Sequence, residues 1–295
     1  MWPNSGMLRD PGYGPASGYN VLHSIDRTVD MSPLIVRLIL IWNLLAGFVV
    51  VSTQMALAQA QKEPAPLIVA AAADLSSALN DIAQNYERKT AVRLKLSFGA
   101  SGMLTQEIQN GAPFDLFLSA DMEYPRQLIA SGSAQEGSLS QYAQGKLVLW
   151  IPAASRLDLV HQGMNVLLDP SVKKVAIANP QHAPYGRAAI AALKHIDLYD
   201  RIKDLLVIGE NVAQAAQFVE SGNAQAGLVA RAHAVAPGMQ NKGKYWEVPG
   251  EYYPPLLQGA VVLTRSQHKQ EALDFLGYLK SEEASKILGK YGFDK

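Results

Sequence analysis

From Leu67 onward the chain alternates short apolar runs with amphipathic ones, and few folds accommodate that alternation. "LIVAAAA" is followed by "LSSALNDIAQNYERK", in which Leu75, Leu79, Ile82 and Tyr86 share one helical face. "VRLKLSF" alternates like a strand, and "MLTQEIQNG" reads as a helix stopped at Gly111. "FDLFLSA" is the next strand, "EYPRQLIASG" the next helix, and "KLVLWIP" a strand halted by Pro152. A second series then runs through "KKVAIANP", "YGRAAIAALKHI", "DLLVIGE", "NVAQAAQFVESG" and "AQAGLVA". Beyond "KYWEVPGEYYPPLLQGAVVLT" two helices close the chain. Apolar strands followed each time by a helix predict an α/β fold with mainly parallel sheets flanked by helices. With 295 residues, one large domain or two modest ones are expected. No internal sequence repeat is visible.

The first sixty residues differ from the rest. Residues 1–30 are rich in Gly, Ser and Pro and read as an N-terminal extension. From Met31 the pattern is Arg37, the apolar run Leu38–Val51, and then small residues matching A-x-A at Ala56–Ala58 or Ala58–Ala60. The run is too short for a comfortable membrane span, and no basic stop-transfer cluster follows. A cleavable secretory signal over about residues 31–60 is the reading; an uncleaved anchor is the alternative. A mature chain starting near Gln61 would be exported to the periplasm.

Charge and composition exclude several classes. The 26 basic and 26 acidic residues cancel and are scattered, which argues against a nucleic-acid surface. With no cysteine, disulfides, thiolate chemistry and thiolate-held metals are ruled out. No H-x-x-x-H, H-E-x-x-H or D-x-D-x-D-G pattern occurs, so no direct protein ligation of a metal is expected.

Four polar turns each follow a strand and open a helix: "DLSS" (74–77), "GASG" (99–102), "HAPYG" (182–186) and "ENVAQ" (210–214). A helix start carries unpaired N–H groups and the positive end of the helix dipole, and in α/β folds such turns lie where ligands bind. Taken singly, each is also an ordinary helix cap, since Asp, Ser and Asn are the usual capping residues. Ser101 invites a second reading as a nucleophile. However, the nucleophile elbow is G-x-S-x-G, and the residue two after Ser101 is Met103. A triad through His182 or His268 is not excluded by spacing, which keeps a secreted serine hydrolase as the alternative. Arg187 is expected on an exposed helix face, and Tyr252–Pro255 as a stiff connector.

At these turns the sequence resembles the periplasmic molybdate-binding proteins of bacterial ABC transporters. "AAAADLSSALNDIA", "SFGASGMLTQEIQNGAPFDLFLSAD", "ANPQHAPYGRAAIAAL", "GENVAQAAQFVESGNAQAGLV" and the terminal "KYGF" carry the resemblance, from about Leu67 to Phe293. It implies a two-lobed type II periplasmic binding-protein fold closing over a tetrahedral oxyanion held by neutral hydroxyl and backbone N–H donors. The lobes would be residues 66–143 with 248–295, and 144–247. Motif by motif, the implied oxyanion contacts are Asp74, Leu75 and Ser76; Ala100 and Ser101; Tyr185, chiefly by its amide; and Val212, by its amide. The ligand would be molybdate, with tungstate or a sulfate-like oxyanion as alternatives. No cofactor and no catalysis are implied. The partners would be the transporter's permease and ATPase, served by a monomer.

Two departures from the family pattern stand out. Many members carry Ser where Asp74 stands, and a carboxylate facing a dianion is repulsive. Asp74 is therefore expected to turn away and cap its helix. Some members carry Tyr where Ala230 stands, which makes the Tyr185 phenol the candidate replacement donor.

Overall fold

The computed structural model describes residues 32–44, apart from 36 and 39, and residues 65–295. The chain divides into two units, residues 1–63 and 64–295. In the first, the described residues from 33 to 44 are helical, with Leu34, Leu38, Leu40, Ile41, Trp42 and Leu44 exposed. The expected cleavage region and the rest of the apolar run lie outside the described residues. Among the described residues no helix is long and apolar enough to cross a membrane.

The second unit opens with β1 (Leu67–Ala72), a 3₁₀ turn (Ala73–Leu75), α1 (Ser76–Thr90), β2 (Leu94–Gly99), α2 (Ser101–Gln109), β3 (Leu116–Ser119), α3 (Glu123–Ala130) and β4 (Ser140–Gly145). It continues with β5 (Leu147–Pro152), α4 (Leu159–Gln162), β6 (Val175–Ala178), α5 (Pro184–His195), α6 (Tyr199–Ile202), β7 (Leu206–Gly209), α7 (Val212–Glu220), β8 (Ala226–Ala230) and α8 (Arg231–Val235). β9 (Gly243–Glu247), β10 (Leu256–Val262), α9 (Lys269–Leu279) and α10 (Glu282–Lys290) complete it.

The strands form two five-stranded sheets, ordered β2-β1-β3-β10-β4 and β7-β6-β8-β5-β9. β1 pairs in parallel with β2 and β3, and β6 in parallel with β7 and β8. Only β10 in one sheet and β5 in the other run against their neighbours. Four strands of each sheet therefore point one way, and the fold is the expected two-lobed α/β architecture. The central strands are buried along their length: all of Leu116–Ser119, Val175–Ala178 and Ala226–Ala230 are inaccessible, which is why they read as unbroken apolar runs.

Two crossings link the lobes and lie side by side. The chain passes from β4 to β5 through Lys146, and from β9 to β10 through Val248–Pro255. The Val248 N–H donates to the Leu147 carbonyl at 3.1 Å, and the Leu147 N–H to the Tyr253 phenol at 3.1 Å. Lys146 sits there between Glu247 and Asp294, 3.0 Å from each. The last two helices return to the first sheet's helix layer. Phe275 packs edge-on against Tyr86 at 4.9 Å, and the Tyr291 phenol donates to Asp81 at 2.8 Å.

Candidate functional site

Four strands deliver their C-terminal ends to one place between the sheets. There Ala72, Ala73 and Asp74 at the end of β1, and Gly99, Ala100 and Ser101 at the end of β2, meet Ala183, Pro184 and Tyr185 at the start of α5, and Asn211 and Val212 after β7. With Ala120 they line a small cavity of about 10 Å³. The cleft is shut over it: Asp74, Ser101 and Tyr185 are each only 1 % exposed.

The helix starts around this cavity are capped in an unusual way. α2 begins after Ala100 and α5 after Ala183, and neither alanine offers a side-chain acceptor to the first-turn N–H groups. A buried helix start without such a partner is expensive unless a ligand supplies it. Pro184 at the first position of α5 brings no N–H, so the first free donor there is that of Tyr185. At α7, Asn211 caps properly: its side chain accepts from Ala213 and Gln214 at 3.0 and 3.1 Å. Those bonds leave the Val212 N–H, at the first helical position, without a partner from the cap.

Ser101 adds a hydroxyl. Its Oγ accepts the Ala120 N–H at 3.1 Å, so its own proton is free to point elsewhere. Its carbonyl accepts the Thr105 hydroxyl at 2.8 Å. The bond to Ala120 occupies a lone pair and holds the oxygen in place, an arrangement suited to a donor.

Asp74 departs from the expectation of a capping role. The 3₁₀ turn puts Leu75 at the cap position of α1, and no side-chain cap bond forms there. Instead Oδ2 of Asp74 accepts from Gln258 Nε2 at 2.9 Å, and Gln258 Oε1 accepts the Tyr142 phenol at 3.3 Å. Oδ1 of Asp74 and the Tyr185 hydroxyl are both buried without a hydrogen-bond partner. Burial pushes the Asp74 carboxyl up to about 7, against the opposing effect of Tyr185 and Gln258 beside it. Burial, and then the charge of Asp74, hold the Tyr142 and Tyr185 phenols well above the ordinary tyrosine value, so both remain donors.

Of the residues the sequence singles out, Asp74, Ala100, Ser101, Tyr185 and Val212 line the cavity, whereas Leu75 and Ser76 are absent from its lining. Ala230 is fully buried at the end of β8, also outside the lining. Arg187 stays part-exposed on its helix, but it is not an unpaired surface cation. It reaches across the cleft to pair with Asp121, donates to the Tyr124 phenol at 3.1 Å, and lies over that ring at 5.2 Å. Beside it the Gly102 N–H donates to the His182 carbonyl at 2.8 Å, a second bond between lobes. Sequence reading missed Ala120, Pro184, Asn211 and Gln258 as individual contributors. Gln258 carried a signal: it is one polar residue inside the apolar run "LLQGAVV", and it is completely buried.

A closed cavity between two α/β lobes, rimmed by helix starts, defines a protein that shuts over a small solute. The chain belongs to the bacterial extracellular solute-binding proteins, whose family model matches residues 67–294. It is 40 % identical over 231 residues to the molybdate-binding protein ModA of Azotobacter vinelandii, covering 78 % of this chain and 90 % of that protein. The Rhodobacter capsulatus molybdate-binding protein ModA is 36 % identical over 227 residues, covering 77 % and 87 %. Among solved structures, the Azotobacter vinelandii periplasmic molybdate-binding protein superposes with a TM-score of 0.73 at 34 % identity, covering 78 % of this chain and 99 % of that one. The sulfate-binding protein SubI of Mycobacterium tuberculosis shares the fold, with a TM-score of 0.65 at 16 % identity, covering 77 % and 86 %.

Proposed function

We propose that this chain captures molybdate in the periplasm and hands it to the permease and ATPase of an ABC transporter, without catalysing a reaction of its own. The observation that carries the reading is the pair of alanine-capped helix starts, at Ser101 and Tyr185, buried around one small cavity. Their N–H groups, that of Val212 and the Ser101 hydroxyl form a set of neutral donors suited to a small oxyanion. Arg187, the cation that follows the third turn, is occupied by Asp121. Selection among oxyanions then rests on cavity size and on how many donors the anion satisfies at once.

The names of the relatives favour molybdate, and tungstate is the alternative of the same geometry. The lobes would move about the two crossings, one lobe holding residues 66–143 and 248–295, the other 144–247. The N-terminal segment would direct export and be removed at about residue 60.

Thermal-shift titration with molybdate, tungstate, sulfate and phosphate tests the reading. At 100 times Kd a ligand adds about 2.7 kcal/mol. For a chain this size that raises Tm by roughly 5–10 °C. A shift with molybdate or tungstate and little with phosphate is expected; no shift with either metal oxyanion would overturn it.

A further inference from the structure

The cavity is rimmed by donors, yet one acidic residue, Asp74, is among those that line it. Asp74 is 1 % exposed, its Oδ2 is taken by Gln258, and its Oδ1 makes no hydrogen bond of good geometry although the Tyr185 phenol lies beside it. The ionisable groups on the elements packed around it do not neutralise a carboxylate there. β4 presents Tyr142, α5 presents Tyr185, and β10 presents the uncharged Gln258. α8 brings His233, buried and held neutral down to about 4 by that burial, and Arg231, which pairs with Glu247. α7 carries its one ionisable residue, Glu220, at its far end, and there it pairs with Lys242. The nearest ionisable residue of α1 is Asp81, which accepts from Tyr291. No charged group contributes to the shift of Asp74.

An ionised carboxylate and a doubly charged oxyanion in one dry cavity repel strongly. A protonated carboxyl removes that repulsion and adds a donor to the wall. Resting on the oxyanion reading above, we propose that Asp74 makes capture proton-linked: one proton from solvent adds to Oδ1 as the dianion enters and the cleft closes. Oδ2 keeps its bond from Gln258, and the new O–H faces the anion or the Tyr185 oxygen. Asp74 thus sets the pH range over which this chain holds a dianion.

The sign follows from linkage. Burial in the closed cleft pushes the carboxyl up to about 7, and a bound dianion raises it further. Well below neutrality Asp74 is protonated with or without ligand, so affinity does not depend on pH. Above neutrality each binding event takes up a proton, and affinity falls by up to about tenfold per pH unit.

The test is calorimetric titration of the full chain with sodium molybdate between pH 5.5 and 8.5, in buffer pairs of different ionisation enthalpy. Expected are no proton uptake at the acid end, uptake approaching about one proton per anion at the alkaline end, and a matching loss of affinity. Asp74→Asn, which cannot ionise, should bind with a flat pH profile and more tightly than wild type at pH 8.5. Binding with constant affinity and no proton uptake overturns the inference while leaving the oxyanion reading standing. Uptake that persists in Asp74→Asn also overturns it, because another group then takes the proton. Binding at no pH removes the oxyanion reading and this inference together. The wild-type proton count decides the matter even where the variant fails to fold.

Discussion

Closing the cleft brings the start of α2 against the turn before α5, and Gly102 marks the point of closest approach. A Cβ built on Gly102 would lie 2.9 Å from the His182 carbonyl oxygen across the cleft and 2.5 Å from the Tyr124 hydroxyl. The phenol is the far end of a side chain and can swing aside. The carbonyl is backbone and can yield only if the lobes part. Gly102→Ala should therefore penalise the closed form by about 1–3 kcal/mol, the usual range for one methyl forced into a packed contact. The 2.8 Å bond from the Gly102 N–H to the same carbonyl is weakened with it. In the open form His182 is withdrawn and the methyl meets only the mobile phenol. Because ligand affinity includes the free energy of closure, Kd should rise by roughly 5- to 150-fold while the ligand-free Tm changes little. Gly186→Ala is the contrasting control. Its Cβ would strike the Ala178 carbonyl and the Asn179 backbone within a single lobe, so it should lower the ligand-free Tm as well. Calorimetric Kd and thermal unfolding without ligand separate the two. Wild-type affinity in Gly102→Ala, or a large loss of its ligand-free Tm, would refute the argument that this glycine is required by closure.

Two further outcomes follow from single side chains. Ser101→Ala removes a donor to the anion and strands the Ala120 N–H, which now donates to Oγ at 3.1 Å; calorimetry should give a Kd at least about tenfold weaker, from a loss of roughly 1.5–3 kcal/mol. His233 is buried with its Nε2 unpartnered and its pKa lowered to about 4 by burial, so the unfolded chain binds a proton at higher pH than the folded one. Stability should be full above about 6.5 and fall by up to about 3 kcal/mol as the pH drops toward 4; His233→Leu should flatten that acid limb in urea unfolding, and an unchanged slope would refute the assignment.

Much of the frame was legible because its strands are buried on both faces. "LIVAAAA", "FDLFLSA" and "AQAGLVA" announce themselves as strands, and Gly111, with φ of 93°, ends the α2 region as read. β4 and β10 gave weaker signals. β4 is "SQYAQG", whose glutamines mask a strand lying beside a crossing, and β10 carries Gln258 in its middle. The turns around the cavity were visible as turns, but the roles of their side chains were not. Asp74 looked like a cap because Asp before a helix usually is one, whereas its partner Gln258 lies 184 positions along the chain. Arg187 looked solvent-facing by helical position, yet its partner Asp121 is 66 residues away, on the opposite lobe. Local pattern reports what a residue does to its own helix; only the fold reports what it meets across a cleft.

The same limit hides a relation between the two halves. Matching the sheet orders places β1, β2, β3, β10 and β4 against β6, β7, β8, β5 and β9, so the two lobes repeat one topology. The turns after β2 and β7 are then equivalents, one running Gly99-Ala100-Ser101 and the other Gly209-Glu210-Asn211-Val212. The second is longer by one residue before its helix begins, which shifts its cap relative to the first. It also changes the chemistry. The extra residue lets Asn211 cap α7 and absorb two N–H groups, so this turn keeps the Val212 donor for the cavity. The shorter turn has alanine at the cap, leaves its helix start open, and adds the Ser101 hydroxyl. One topology used twice therefore yields unlike walls, with the Ser101 hydroxyl on the lobe that also carries Asp74. An anion would be expected to dock on that wall first and recruit the other on closure, which is why the substitutions at Ser101 and at Gly102 should separate in kinetics. Loss of the Ser101 hydroxyl should weaken the initial encounter, whereas Gly102→Ala should leave the encounter intact and speed release.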